Sequence, residues 1–272
     1  MAGATAVGCG PKPIERWSSG VHDLRDRIGG KDRSSVFIVP EGLIGLAPMV
    51  IGLHDSGAGP QAVYEGFGWR QECAKRGWLG VFPTYIKESQ QEDNVYITHL
   101  AIRAVALGGG DPRRIYLVGH GAGGRRAYAM SCANPGWITA IAAASAVVRF
   151  REDDLGFQEP KAPAVSVIHL HGGKDGRVPV GGGPMDCGDR KTRHVLPLDE
   201  GLRPWIDQLG GKSAPMNLQL PAGMQGARWQ GDRRDVVRVV DLERDHTWNP
   251  AWTPLAADFL ASSPRRASML AD

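Results

Sequence analysis

Cysteine is scarce in this chain and scattered. Cys9, Cys73, Cys132 and Cys187 share no C-x-x-C spacing, so a zinc cluster built on paired cysteines is excluded. One or two disulfides, in no determined pairing, stay open for an exported protein. Long apolar runs are also missing: the longest, Trp137 to Val148, is too short to span a bilayer, and no membrane span is expected. A charge excess is missing as well. The 32 Lys and Arg are set against 29 Asp and Glu, for a net charge of +3. The basic residues form no stripe with interleaved aromatics, so no nucleic-acid partner is expected.

What is present belongs to a globular body. Hydrophobic residues at 42% and charged residues at 22% suit a substantial core, and 272 residues suit one α/β domain. Residues 1–20 read as a Gly/Pro/Ser-rich leader, 21–262 as the domain and 263–272 as a polar tail. Within the leader, Ala4-Thr-Ala-Val-Gly-Cys9 is similar to the end of a bacterial lipoprotein signal, with Cys9 as the lipidation site. No charged start or apolar stretch precedes it. An extracytoplasmic placement is therefore favoured over a cytoplasmic one, with a chance likeness left open.

Short apolar runs alternate with helical periods. Strands are expected from Val21, over 35–39, 47–53, 78–82, 114–118, 138–148, 164–170 and 235–240. Helices are expected over 61–76, 95–107, 125–133, 201–209 and 252–261, with 181–194 as a glycine-rich excursion beside the active face. Such alternation means βαβ units and a mostly parallel, doubly wound sheet with helices on both faces.

The most informative stretch is Arg114-Ile-Tyr-Leu-Val-Gly-His-Gly-Ala-Gly-Gly-Arg125, where a buried-strand run meets a glycine-dense corner and then a helix. Hydrolases with a G-x-S-x-G elbow place a nucleophilic serine at the middle of such a corner. Here the frame is Gly119-His120-Gly121-Ala122-Gly123 and the middle residue is glycine. The hydroxyl is missing. Three further loops carry polar residues where strands should end: His54-Asp55-Ser56, His171 to Pro179 around Asp175, and Asp245-His246-Thr247-Trp248. Corner, acid, histidine is the chain order of α/β-hydrolases.

On these residues the chain resembles the polyhydroxybutyrate depolymerase and feruloyl esterase group of α/β-hydrolases. The matching segments are Leu53-His54, Asp93-Asn-Val-Tyr-Ile97, Asp111-Pro-Arg-Arg-Ile-Tyr-Leu-Val-Gly119, His171-Gly-Gly-Lys-Asp175-Gly-Arg-Val-Pro179 and His246-Thr-Trp248, spread over about residues 33–260. The resemblance implies the α/β-hydrolase fold in one domain. It also implies Asp175 as triad acid, His246 as triad base, and an oxyanion hole from the amides of Ala122 and of Asp55 or Ser56. A small-molecule, polyester or aryl-ester-like ligand is implied too. Two departures stand out: Gly121 holds the nucleophile position, and Asp55 replaces the glycine that usually follows the loop histidine.

Removing a triad serine costs about 10⁶ in kcat, so ordinary acyl-enzyme turnover is not expected. Three readings stay open. The chain is a diverged hydrolase using His246–Asp175 as a general-base dyad, a binding pseudoenzyme, or an active esterase seen as a nucleophile knockout. On the last reading Gly121→Ser restores ester hydrolysis. Ser56 as a substitute nucleophile is outweighed by its reading as a turn serine, and Ser131 and Cys132 by helix packing. His169 and His171 share one side of a strand, but the resemblance makes them strand-end residues, and no metal or cofactor is expected. His54 is expected to brace its loop. His54, His120, Trp248 and Tyr85 are candidate ligand contacts, with Trp69 and Trp78 as further pocket aromatics. Arg125-Arg126 reads as a solvated helix face.

Overall fold

A computed structural model describes residues 16–84, 90–133, 136–151, 165–187, 192–210 and 214–264. Strands β1 (Gly20–Ile28) and β2 (Lys31–Val39) form an antiparallel ribbon. After β3 (Ala47–Leu53) the expected 61–76 helix is split into a π-helical turn at Ala62–Gly66 and helix α1 (Trp69–Arg76). The break is at Gly68, whose φ of 79° lies outside the helical region. Then come β4 (Leu79–Pro83), α2 (Gln90–Gly108), β5 (Gly110–His120), α3 (Ala122–Ala133), β6 (Ala140–Ala144) and β7 (Ser166–Gly172). Helix α2 starts inside the polar stretch that precedes its apolar period, and β5 takes in the Asp111-Pro112 pair expected to form a turn. The 181–194 excursion holds a small hairpin, β8 (Gly183–Asp186) with β9 (Thr192–Val195). Helix α4 (Leu198–Asp207), short β10 (Met216–Asn217), β11 (Met224–Gln230), β12 (Asp235–Asp241) and α5 (Trp252–Ser262) complete the chain. Strand β11 was not foreseen; its half-exposed position next to the sheet edge, with polar Gln225, Arg228 and Gln230, hides the apolar signal.

The main sheet runs β1-β2-β4-β3-β5-β6-β7-β12-β11-β10. Its centre is parallel from β4 through β3, β5, β6 and β7 to β12, and both flanks are antiparallel. Successive side chains of a strand face opposite layers. Thus Met49, Ile51, Ile115 and Leu117 pack into one core layer, and Val50, Tyr116 and Val118 into the other. Burial on both faces explains why these strands read as continuous apolar runs. Trp17, from the segment read as leader, packs edge-on against Phe37 and donates its backbone N–H to the Leu107 carbonyl at 2.8 Å. Cys73, Cys132 and Cys187 are free thiols, so the disulfides left open by the sequence do not form among these three. Among the described residues, no helix is long and apolar enough to cross a membrane.

One charged cluster locks the helices to the sheet beside the corner. Asp93 on α2 is fully buried and pairs with Arg33 of β2 and, at 3.1 Å, with Arg126 of α3. Removing one member of a buried ion cluster strands the others in a low-dielectric interior. Asp93→Ala is therefore expected to cost about 3–5 kcal/mol, read as a lowered urea midpoint at unchanged slope.

Candidate active site

Strand β5 ends at His120 and α3 begins at Ala122, leaving Gly121 alone in the corner with φ 53°. Its N–H donates to the Ala144 carbonyl at 2.9 Å, and its carbonyl accepts from the Arg125 N–H at 3.0 Å. The corner is tight because α3 starts against the end of β3. A Cβ on Gly123 would lie 2.1 Å from the Leu53 carbonyl oxygen, so only glycine fits there. A Cβ on Gly121 would lie 2.3 Å from Asp55 Oδ1 and 2.4 Å from its Cγ. The space a side chain at 121 would occupy is therefore filled by the Asp55 carboxylate.

Asp55 leaves β3 two residues after Leu53, in a turn closed by the Ala58 N–H on its carbonyl at 3.1 Å. Its Oδ1 accepts the Ala122 N–H at 2.8 Å. Its Oδ2 faces His246 Nε2 at 3.7 Å and Arg177 Nη1 at 3.3 Å. The 3.7 Å approach is an ion pair and too long for a formed hydrogen bond. Burial favours the neutral carboxyl. His246, the amides of Ala122 and Ser56 and the Arg177 charge outweigh burial and hold Asp55 far below the ordinary carboxylate range. The amides expected to form an oxyanion hole thus converge, and what they hold is Asp55 itself.

His246 and Asp175 come together as their loops suggested. His246 Nδ1 donates to Asp175 Oδ2 at 2.8 Å. Asp175 Oδ1 accepts the N–H groups of Arg177 at 2.9 Å and Val178 at 2.8 Å, so the carboxylate is pinned by its own loop and stays ionised. Burial opposes a charge on His246, but Asp175 and then Asp55 overcome it and raise its pKa to about 9. Near neutral pH the site holds an imidazolium between two carboxylates. Beneath the acid loop, Tyr128 Oη–His169 Nδ1 (2.8 Å), His169 Nε2–His171 Nδ1 (2.9 Å) and His171 Nε2–Val178 O (2.7 Å) form a chain. The Val178 carbonyl can only accept, so each bond in the chain has one direction: His171 donates to Val178, His169 to His171 and Tyr128 to His169. Both rings are neutral and fully bonded, and they act as supports for the loop.

A cavity of about 660 Å³ opens beside Gly121. Its lining includes Asp55, Ser56, Ala122 and His246, apolar Val147, Phe150 and Met185, basic Arg125, Arg126, Arg177 and Arg193, and acidic Asp186. Arg125 packs over the Phe150 ring at 4.5 Å and Arg126 is buried against Asp93, so neither belongs to a solvated face. Helical spacing shows which residues share a face but not what a loop from 147–150 or the 183–195 hairpin lays over it. The 181–194 excursion, expected beside the active face, does line the cavity through Met185 and Arg193 of its hairpin; which of its residues reach in had no signal in the sequence. Arg177 lay inside a recognised motif without a role.

Several expected ligand contacts do not line this cavity. Trp248 stacks on Phe67 with centroids 4.4 Å apart and bonds Thr253 Oγ1 at 3.1 Å; it braces the His246 loop. Trp69 and Trp78 lie in the core. His54 is buried and bonds the Asp55 carbonyl at 2.9 Å, in keeping with a loop brace. Ser131 and Cys132 are buried in α3. Tyr85 lies outside the described residues. His120 sits behind the dyad with its ring 4.9 Å from that of His246, and burial first, then the His246 charge, lowers its pKa to about 4. One ligand atom each from Asp55, His120 and His246 lies within 4.8 Å of the others, so these three could hold a metal ion.

No family model and no curated protein sequence matches the chain. Solved structures do. The acetyl xylan esterase from Aspergillus awamori superposes with a TM-score of 0.65 at 15% identity, over 89% of this chain and 99% of that one. The fluorophosphonate-binding serine hydrolase F of Staphylococcus aureus gives 0.58 at 10% identity, over 90% and 99%. The acylaminoacyl peptidase of Pyrococcus horikoshii gives 0.60 at 12% identity, over 93% of this chain and 43% of that one. The chain has the α/β-hydrolase fold. Its doubly wound sheet is the one expected from strand–helix alternation, and the candidate site lies at the carboxyl ends of the parallel strands, where this fold builds its sites.

The overlap at Gly121 adds a condition to the expectation that serine restores a working elbow: the Asp55 carboxylate must move aside. Gly121→Ser is expected to cost about 2–4 kcal/mol, from left-handed backbone strain and overpacking against Asp55. In an Asp55→Gly background the cost should fall to about 1–2 kcal/mol. Urea unfolding of the two single variants and the double variant measures this coupling.

Proposed function

We propose that this protein is a diverged relative of carboxylic ester hydrolases, of the polyhydroxybutyrate depolymerase and feruloyl esterase type by its motifs. In this reading Asp55, His246 and Asp175 replace the serine triad and act on a small organic substrate. The carrying observation is the Asp55 carboxylate, which stands 2.3 Å from where a Cβ at position 121 would be. Asp55 Oδ1 also accepts the Ala122 N–H at 2.8 Å, so the carboxylate is bonded in that space. Four arginines against two carboxylates, Asp55 and Asp186, in a cavity that also has apolar lining support a substrate with an anionic group on a hydrophobic body.

The resting charges change the part His246 plays. In a serine hydrolase the imidazole begins neutral and takes a proton from the nucleophile. Here His246 is faced by Asp175, Asp55, His171, His120 and Arg177, and the two carboxylates dominate. It begins protonated, acts first as an acid, and serves as a base only after giving its proton away.

Two measurements test this reading. The Asp55→Gly/Gly121→Ser variant should hydrolyse p-nitrophenyl acetate well above either single variant; a folded double variant with no gain would show that acid, histidine and hole are not the remains of an ester-hydrolase site. By NMR, the His246 ring should titrate near pH 9, and Asp55→Asn should move the midpoint toward 6.5. Because the folded pKa is raised, the stability contributed by this proton is complete below about 6.5 and is lost as pH rises through about 9. A native midpoint at the ordinary value would remove the acid-first role.

A further inference from the structure

We infer that Asp55, His120 and His246 bind a divalent zinc-type ion as a site of two histidines and one carboxylate. The inference goes beyond the ester-hydrolase reading and does not rest on it.

One ligand atom from each residue lies within 4.8 Å of the other two. The three arrive from separate places: Asp55 after β3, His120 at the end of β5, and His246 after β12. Zinc holds imidazole nitrogen and carboxylate oxygen at about 2.0–2.2 Å, so two ligands on one tetrahedral ion sit about 3.3 Å apart. His246 Nε2 and Asp55 Oδ2 already stand 3.7 Å apart. The widest pair has about 1.5 Å or less to close around an ion.

The bonding around the trio selects which atoms are open to the ion. His246 gives its Nδ1–H to Asp175 at 2.8 Å, and Nε2 is left toward Asp55. A carboxylate behind a histidine fixes the tautomer and raises the basicity of the opposite nitrogen, as outer partners of metal-bound histidines do. Asp55 is held through Oδ1 by the Ala122 amide at 2.8 Å, so Oδ2 is the oxygen presented. His120 is only 6% exposed and its Nε2 has no partner. A buried nitrogen without a bond is costly, and coordination satisfies it. His169 and His171 offer no such atom, because their nitrogens are spent on Tyr128, on each other and on the Val178 carbonyl.

Two imidazoles and one carboxylate suit zinc or cobalt, whereas magnesium and calcium take oxygen ligands. Asp55 and His246 line the cavity, which gives the ion its way in. Arg177 opposes it, with Nη1 3.3 Å from Asp55 Oδ2, but that side chain is 58% exposed and can turn into solvent. Ligation uses the His246 Nε2 atom that the acid-first role requires, so the ion and that role exclude each other.

The test uses the full chain, stripped with EDTA, then titrated with zinc by calorimetry and with cobalt by visible absorption. One zinc per chain should bind with micromolar or tighter affinity. Cobalt should show the intense visible bands of a four-coordinate site, and zinc should bleach them while magnesium and calcium do not. Asp175→Asn should weaken zinc binding about 10–100-fold, and Asp55→Asn and His120→Ala should weaken it further. Arg177→Ala should tighten it about threefold or more, a response that a chance surface site would not give. Circular dichroism checks each fold, and the nearly isosteric Asp55→Asn decides the matter if His120→Ala does not fold.

Binding no tighter than millimolar, zinc affinity unchanged in Asp55→Asn, or displacement of cobalt by calcium would each overturn the inference. A thiolate charge-transfer band on the cobalt protein would overturn it in favour of a cysteine site. The Asp55→Gly/Gly121→Ser variant lacks the carboxylate ligand, so it should lose zinc whether or not it hydrolyses p-nitrophenyl acetate. The metal site and the ester-hydrolase reading therefore fail independently.

Discussion

The contact between the Ala122 amide and the Asp55 carboxylate governs the rest of the site. The corner between β5 and α3 is pressed so closely against the end of β3 that one side chain fits in it. In this chain the side chain comes from β3's own loop, and residue 121 supplies only backbone. Three properties follow from that choice. The amide of Ala122 is engaged at rest, His246 faces a second carboxylate, and the anion lines the cavity in an ion pair with Arg177.

The balance of charges is what makes this arrangement tolerable. A carboxylate in a half-buried position would ordinarily shift toward its neutral form. Here two amides, an imidazolium and the Arg177 guanidinium surround it. At an effective dielectric near 20, unit charges about 4 Å apart interact by about 4 kcal/mol, enough to offset partial desolvation on both partners. Asp175 is held more rigidly still, by two loop amides and by the neutral Tyr128–His169–His171 chain under the loop. The rigid partner keeps His246 aimed at the place where the corner's missing hydroxyl would be.

The fold was legible because its signals are local. Strands buried on both faces must be apolar throughout, and helices on a sheet must repeat every 3.6 residues. Leu53, Leu117 and Leu170 sit where those patterns put them. The meeting of Asp175 and His246 was legible from chain order in loops that leave the same sheet edge. Arg125 and Arg126 were misread, since a pair of arginines after a helix start carries the same sequence signal whether solvent or another loop covers it. Trp248 and His120 were placed on the correct loops but pointed the wrong way for a cavity contact.

By itself, the sequence determined the alternation of the central strands and helices, the glycine corner with no side chain at residue 121, and Asp175 and His246 on their separate loops. Each of these depends on residue type and near-neighbour spacing. Only the tertiary structure decided what fills the space beside Gly121. Asp55 and Ala122 are 67 residues apart, and no local pattern relates the loop after β3 to the start of α3. Parallel pairing of β3 with β5 brings them within one hydrogen bond, and the absence of a Cβ at Gly121 lets the carboxylate in.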